Sequence, residues 1–497
     1  MRRPLFLIFV LSAAAAAQVQ CYTVTPAGSG TGNGSNWSNT LALSTVNGST
    51  TLTRPAIYYF AGGSYPQGSG TYSLVFKTPV SGTNVIDFRA ATAADHGNSA
   101  ARCSNSATIV TGWNEATMAV DGGAGQAVLA QTTWVSTLQI QTGYFGLYGN
   151  PATHSGKGGS CSGTECGFLF DNHTVTTGQS FYWGIDISAG ISHVTIDSVE
   201  YYGCRSACGS TGETGIFVHG DIGSAITSVS IARNNLHDSN QSYFQTRAAS
   251  GWAITHNLLA RNYSSATAPA VHGNCWDTGG DSDQTFADNW VEDIWGTSCI
   301  DDLNAGTPTT STGWKVYGNI FAYTDNASTE GAGAGVWGCI NGNTCSGVFY
   351  QNTVYNWYGT VSTYSGVDWS EATAGTVEVS NNMFYGSAAS AAVRCAAGAT
   401  CDWDYNYFGG ATTTITHTAE THQQAATGSP FVSAGSDFHL STNTDVGTSL
   451  GSPYNVDLDG VTRTTWSRGT YEYTGAGNPA SRTIGGARTI GGGHQIH

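Results

Sequence analysis

Lysine is nearly absent from this 497-residue chain, occurring only at Lys77, Lys157 and Lys315. Lys and Arg together number 17 against 33 Asp and Glu, a formal net charge of -16. Phosphate binding needs clustered Lys and Arg, so nucleic acid is not an expected partner. The same field repels a polyanionic glycan unless a divalent cation bridges the two. Long apolar runs are missing too. The best candidate, Leu5 to Leu11, is too short to cross a bilayer, and no later run matches it, so no membrane span is expected. Helix-period patterns are scarce, and the dense leucine signature of leucine-rich repeats is absent. Charged residues make up only 10%, which alone would read as disorder; 14 Trp, 24 Tyr and 18 Phe argue instead for a packed chain.

What is present begins with an export signal over residues 1–17. Arg2 and Arg3 form a short positive region, Leu5 to Leu11 the apolar stretch, and Ala13 to Ala17 a small-residue cleavage zone. Cys21 could suggest a lipoprotein cysteine, but Gln20 is bulky and polar where a small residue is wanted, so soluble export is the better reading. A soluble, secreted, extracellular protein is expected. All 12 cysteines lie downstream of the signal, an even count that suits an oxidising compartment. Cys161 with Cys166, Cys204 with Cys208, Cys339 with Cys345 and Cys395 with Cys401 read as staples across tight loops. Cys275 and Cys299 are one coil apart, which leaves Cys21 and Cys103 to pair by elimination. The spacings match no standard zinc pattern.

A repeat runs through the C-terminal half. The segments VSIARNNL from Val229, WAITHNLL from Trp252, QTFADNWV from Gln284 and WKVYGNIF from Trp314 share one pattern, and GVFYQNTV from Gly347, VEVSNNMF from Val377 and CDWDYNYF from Cys401 continue it. In that register Asn234, Asn257, Asn289, Asn319, Asn352, Asn382 and Asn406 recur at steps of 23, 32, 30, 33, 30 and 24 residues. An earlier segment, HVTIDSVEYY from His193, shares the strand pattern but lacks the Asn. Alternating apolar residues place side chains alternately in and out on a strand. An Asn at each bend bonds its amide to the Asn of the next coil, and Asn tolerates the left-handed backbone of such a bend. Coils of this length stack into a parallel solenoid, and uneven steps place insertions on one face. The expected fold is all-β: a single-stranded right-handed parallel β-helix with an Asn ladder. Residues 18–190 are irregular enough to hold a cap and the first coils. Residues 191–473 carry the regular coils and a closing segment, and the Gly-rich residues 474–497 read as a flexible tail.

These segments resemble the right-handed parallel β-helix superfamily that includes pectate lyases and polygalacturonase-like hydrolases. TVTPAGSGTGNGSNWSNT from Thr23 is similar to the N-terminal segment of secreted members. DLDGVTRTTWSRGTYEY from Asp457 is similar to the closing motif of many bacterial members, which usually ends Asp-x-Gly-Ala-x-Glu; the match is partial. The resemblance implies the fold, and a polysaccharide as partner. It implies little about activity, since this superfamily carries many chemistries.

Functional groups of such a solenoid recur at one position in successive coils. The strands between the Asn segments offer His219 and Asp221, Arg247, His272 and Asp277, Asp301 and Asp302, Trp337, Trp369 and Glu371, and Arg394. Neighbouring parallel strands lie about 4.8 Å apart, so carboxylates one or two coils apart fall within the range glycosidases use. For hydrolysis, one of Asp277, Asp301 and Asp302 is the expected general acid and another activates water. His272 holds a sugar hydroxyl or shares a proton. His219 binds substrate, and Trp276, Trp337 and Trp369 supply stacking platforms. For β-elimination, calcium held by Asp277, Asp281 and Asp283, or by the Asp301 pair, neutralises a uronate, and Arg247 or a histidine takes the proton. Adjacent Asp301 and Asp302 point to opposite faces if both lie on a strand. A monomer is expected. The competing class is a non-catalytic extracellular glycan-binding or adhesion protein, whose rigid polar rod binds without turnover.

Overall fold

The structure, a computed structural model, describes residues 18–65, 72–99, 102–130, 136–150, 154–173, 181–203, 213–220, 225–239, 241–263, 273–295, 298–302, 308–324, 335–357, 364–386, 391–410 and 420–475. The export signal, the Cys204–Cys208 pair, Asp221 and His272 lie outside these residues, as does all but the start of the Gly-rich tail. Among the described residues no helix is long and apolar enough to cross a membrane.

Each coil contributes one strand to each of three parallel sheets, here called A, B and C. One coil runs Ala253–Thr255 in sheet A, Leu258–Tyr263 in sheet B and Trp276–Thr278 in sheet C. Among the described residues sheet A holds 13 strands, sheet B 12 and sheet C 10, and the chain is a right-handed parallel β-helix. Sheet A already includes Gln20–Thr25 and Ala56–Phe60, so strands of the stack precede the first ladder Asn by more than one coil. Period-two alternation fills the interior. Phe286, Val316, Phe349 and Val379 form one inward column of sheet A, and Phe244, Trp276, Ile300 and Trp337 one of sheet C. Each enclosed aliphatic or phenyl side chain contributes about 1.5–3 kcal/mol.

The A-to-B corner is the most regular part. Asn234, Asn257, Asn289, Asn319, Asn352, Asn382 and Asn406 are all 0% exposed. From Asn234 to Asn382 each Nδ2 donates to the Oδ1 of the next Asn over 2.9–3.1 Å. Each backbone N–H donates to that same oxygen over 2.9–3.0 Å. The second amide proton goes to a strand carbonyl of the preceding coil, as from Asn289 to Ile254 at 2.9 Å. At one end Val199, where the early segment lacks its Asn, donates its N–H to Asn234 at 2.8 Å. At the other, Glu420 takes over as acceptor for both the Asn406 N–H and its amide, at 2.9 Å each. The left-handed backbone sits one residue earlier than expected: Ser198, Arg233, His256, Asp288, Gly318, Gln351, Asn381 and Tyr405 have φ of 56–66°. The Asn itself is chosen for its hydrogen bonds.

Other segments close the outer surfaces. Phe431, Phe438, Leu440, Leu458 and Tyr471 pack on the outer face of sheet B against Trp290, Ile320 and Met383. The closing segment is tied to the ladder corner: Arg468 Nη1 donates to the Asn406 carbonyl at 2.8 Å, and Thr470 Oγ1 to the Asn319 carbonyl at 2.8 Å. Disulfides Cys161–Cys166, Cys339–Cys345 and Cys395–Cys401 staple short loops, Cys275–Cys299 joins adjacent coils, and Cys21–Cys103 ties the first strand to the segment covering it.

Candidate active site

Sheet C is where the repeat changes from coil to coil. Strand register sets Gln139, Asp186, His219, Gln245, Asp277, Asp301, Gly338, Asp368 and Arg394 side by side in one column. Their neighbours in sequence Ile185, Val218, Phe244, Trp276, Ile300, Trp337 and Val367 point into the core. By alternation the column therefore faces outward. It is nonetheless enclosed: Asp186 is 5% exposed, His219 7%, Gln245 4%, Asp277 4% and Asp301 0%. Polar groups held at the floor of a sheet with so little contact with water are the material of a site rather than of a solvated face.

The column is wired from strand to strand. Both Asp277 oxygens accept from Arg247 Nη2, at 2.9 and 3.0 Å, and Gln245 Nε2 donates to Asp277 Oδ2 at 2.9 Å. Arg247 Nη1 donates to the Thr246 carbonyl at 2.7 Å, which fixes the guanidinium. Asp301 lies on the next strand, about 4.8 Å along the stack. Gly338 follows, and a Cβ there would sit 3.2 Å from Ser298 Oγ and 3.6 Å from Asp301 Oδ1. The glycine lets the backbone pass close to Ser298 and Asp301, and a side chain there would press on both. Beyond it Asp368 accepts from the Ser370 N–H at 3.0 Å and from Arg394 at 3.5 Å. At the other end His219 Nδ1 lies 3.0 Å from Asp186, which also accepts from Gln139 at 3.0 Å.

Several expected site residues lie elsewhere. Trp276, Trp337 and Trp369 are 0–1% exposed in the interior, so none offers a face to a sugar. They neighbour Asp277, Gly338 and Asp368 in sequence, and alternation turns them inward. Asp302 takes the opposite face of its strand from Asp301, as expected from their adjacent positions, and so lies outside the column that Asp277 and Asp301 share. It joins Asp281, Thr246, Thr278 and Asn343 in a polar knot under the column: Asn343 Nδ2 donates to Asp302 at 3.2 Å, and Asp281 accepts from Thr246, from Thr278 at 2.6 Å and from the Ala249 N–H at 2.7 Å. Burial pushes both carboxyls up to about 6, against the hydrogen bonds they accept.

The expected calcium set does not fit these residues. Asp281 is saturated inside the coil, while Asp283 is exposed at a left-handed turn position, φ 55°. Among the described residues no three His, Cys, Asp or Glu side chains gather as a metal site. Gln245, Gly338, Asp368, Asp186 and Gln139 were missed by sequence reasoning, although the first three lie in strands it singled out.

No family model matches the sequence, and no curated protein matches it. Among solved structures the chain is similar to a pectate lyase, Pel9A, at 15% identity and TM-score 0.46, covering 92% of this chain and 97% of that one. It is also similar to a rhamnogalacturonan lyase, at 8% identity and TM-score 0.36, covering 83% and 91%. A third is a lacto-N-biosidase from Eubacterium ramulus, at 9% identity and TM-score 0.35, covering 82% and 68%.

Proposed function

We propose that the chain is a secreted polysaccharide-cleaving enzyme whose substrate lies along sheet C, and that it is a hydrolase. The observation that carries the reading is the enclosed outward column in which Asp277 and Asp301 are register partners. A spacing of about 4.8 Å between strands suits the roughly 5–5.5 Å carboxyl separation of retaining glycosidases. Asp277, aimed by Arg247 and Gln245, attacks the anomeric carbon while Asp301 gives its proton to the departing sugar oxygen. The glycosidic bond breaks and a glycosyl ester forms on Asp277. Asp301 then takes a proton from water, which displaces the ester with net retention. Elimination fits less well, because Arg247 is engaged by both Asp277 oxygens and is a poor proton acceptor. The disulfides suit export.

The test is a panel of neutral and acidic polysaccharides, incubated with and without chelator. The hydrolase reading expects new reducing ends, no ultraviolet absorbance from an unsaturated product, no chelator effect and retained anomeric configuration. An unsaturated product would establish a lyase instead. Binding with no cleavage of any glycan would establish the adhesion class.

A further inference from the structure

Trp183 stands apart from the other tryptophans of sheet C. Trp276, Trp337 and Trp369 are enclosed in the core, whereas Trp183 is partly exposed. The sheet is irregular at this point. In the strand Phe181–Ile187 pairing with the next coil slips between Tyr182 and Trp183. Gly184 then faces the core: a Cβ there would sit 2.9 Å from the Phe217 carbonyl and 3.2 Å from the Tyr201 ring. With Gly184 turned in, Trp183 turns out and its ring lies flat on His219, centroids 4.0 Å apart and planes within 5°.

We propose that Trp183 and His219 form a distal sugar-binding subsite, three strands or about 14 Å from Asp277, which makes the protein select long glycan chains. The proposal rests on the cleavage reading for where the reacting bond lies, but its binding chemistry stands by itself. A pyranose presents an apolar C–H face and an equatorial rim of hydroxyls. Trp183 supplies a flat apolar surface, and Asp186 and Gln139 lie in the same outward column as the His219 on which it stacks. The platform is pre-set, since Asp186 holds His219 at 3.0 Å, Gln139 holds Asp186 at 3.0 Å, and Gln141 donates to Gln139 at 2.6 Å. Such preorganisation spares a ligand the cost of ordering its site.

The experiment measures affinity by gel retardation on soluble polysaccharides, and kcat/KM on oligosaccharides of increasing length, for the full protein and for Trp183→Ala and Trp183→Phe. Trp183→Ala is expected to weaken polysaccharide binding and long-chain kcat/KM about tenfold. It should leave cleavage of the shortest substrate unchanged, which also shows that the variant folds, and Trp183→Phe should restore most of the loss. Trp183→Ala binding as tightly as the wild type would overturn the subsite and leave the cleavage reading intact. Length-selective binding lost in Trp183→Ala without any cleavage by the wild type would support the subsite and overturn the cleavage reading. A wild type that binds no glycan in the panel overturns both.

Discussion

Two rows of residues run along this solenoid and obey opposite rules. At the A-to-B corner seven asparagines repeat unchanged from Asn234 to Asn406. On sheet C the outward row changes at nearly every coil, from Gln139 through Asp277 to Arg394. The corner must repeat because each amide is both donor and acceptor, and its oxygen serves two N–H groups of the coil before it. A change there strands buried partners. Nothing in the fold asks for Asp, His, Gly or Arg on sheet C, where any outward side chain satisfies the backbone ladder. Residues that the fold does not require, yet that are enclosed and joined to one another, are candidates for function.

The comparison breaks most sharply at Asp301 and Asn289. Asp301→Asn is expected to lower polysaccharide cleavage about 10³-fold, measured as reducing ends, with no change in melting temperature. Asn289→Leu removes the acceptor shared by the N–H and the amide of Asn257. Denaturant titration should show a loss of about 3–5 kcal/mol, with activity per folded molecule retained. A fall in stability for the first and in activity for the second would reverse the assignment of the two rows.

Smaller effects sharpen the contrast. Gly338→Val presses on Ser298 and Asp301 and should cut kcat/KM about tenfold. The knot under the column makes a pH prediction. Asp281 and Asp302 are raised from the ordinary 3.8 to about 6 by burial, so the folded state binds their protons more tightly than the unfolded one. Their contribution is therefore full below about pH 4 and is lost as pH rises through about 6. Asp302→Asn should flatten the fall in melting temperature over that window by a few degrees.

The corner was legible in the sequence because one residue type recurs at one place, and the identity of the residue is itself the signal. The register that located the ladder also located the strands of sheet C. Within those strands the choice by chemical type failed where a choice by position would have succeeded. Alternation was applied to Asp301 and Asp302 and correctly separated them. The same rule turns Trp276, Trp337 and Trp369 inward, and it selects Gln245, Gly338 and Asp368 in place of Trp337, Trp369 and Glu371. Trp183 was hidden for another reason: its strand precedes the first ladder Asn, so the repeat gave it no register, and the alternation breaks there, with Gly184 turned to the core beside Ile185. Asp281 and Asp283 looked like a cation site because acidic residues crowd a Gly-rich stretch, but the turn sends one into the core and the other out to solvent.

The most direct test compares Asp301→Asn with the wild type on a polysaccharide that the wild type cleaves, following product formation and thermal melting in the same preparation. The account predicts that cleavage is lost while the melting curve is superimposable. Full cleavage by Asp301→Asn would contradict it, since the enclosed row on sheet C would then not be where the chemistry occurs.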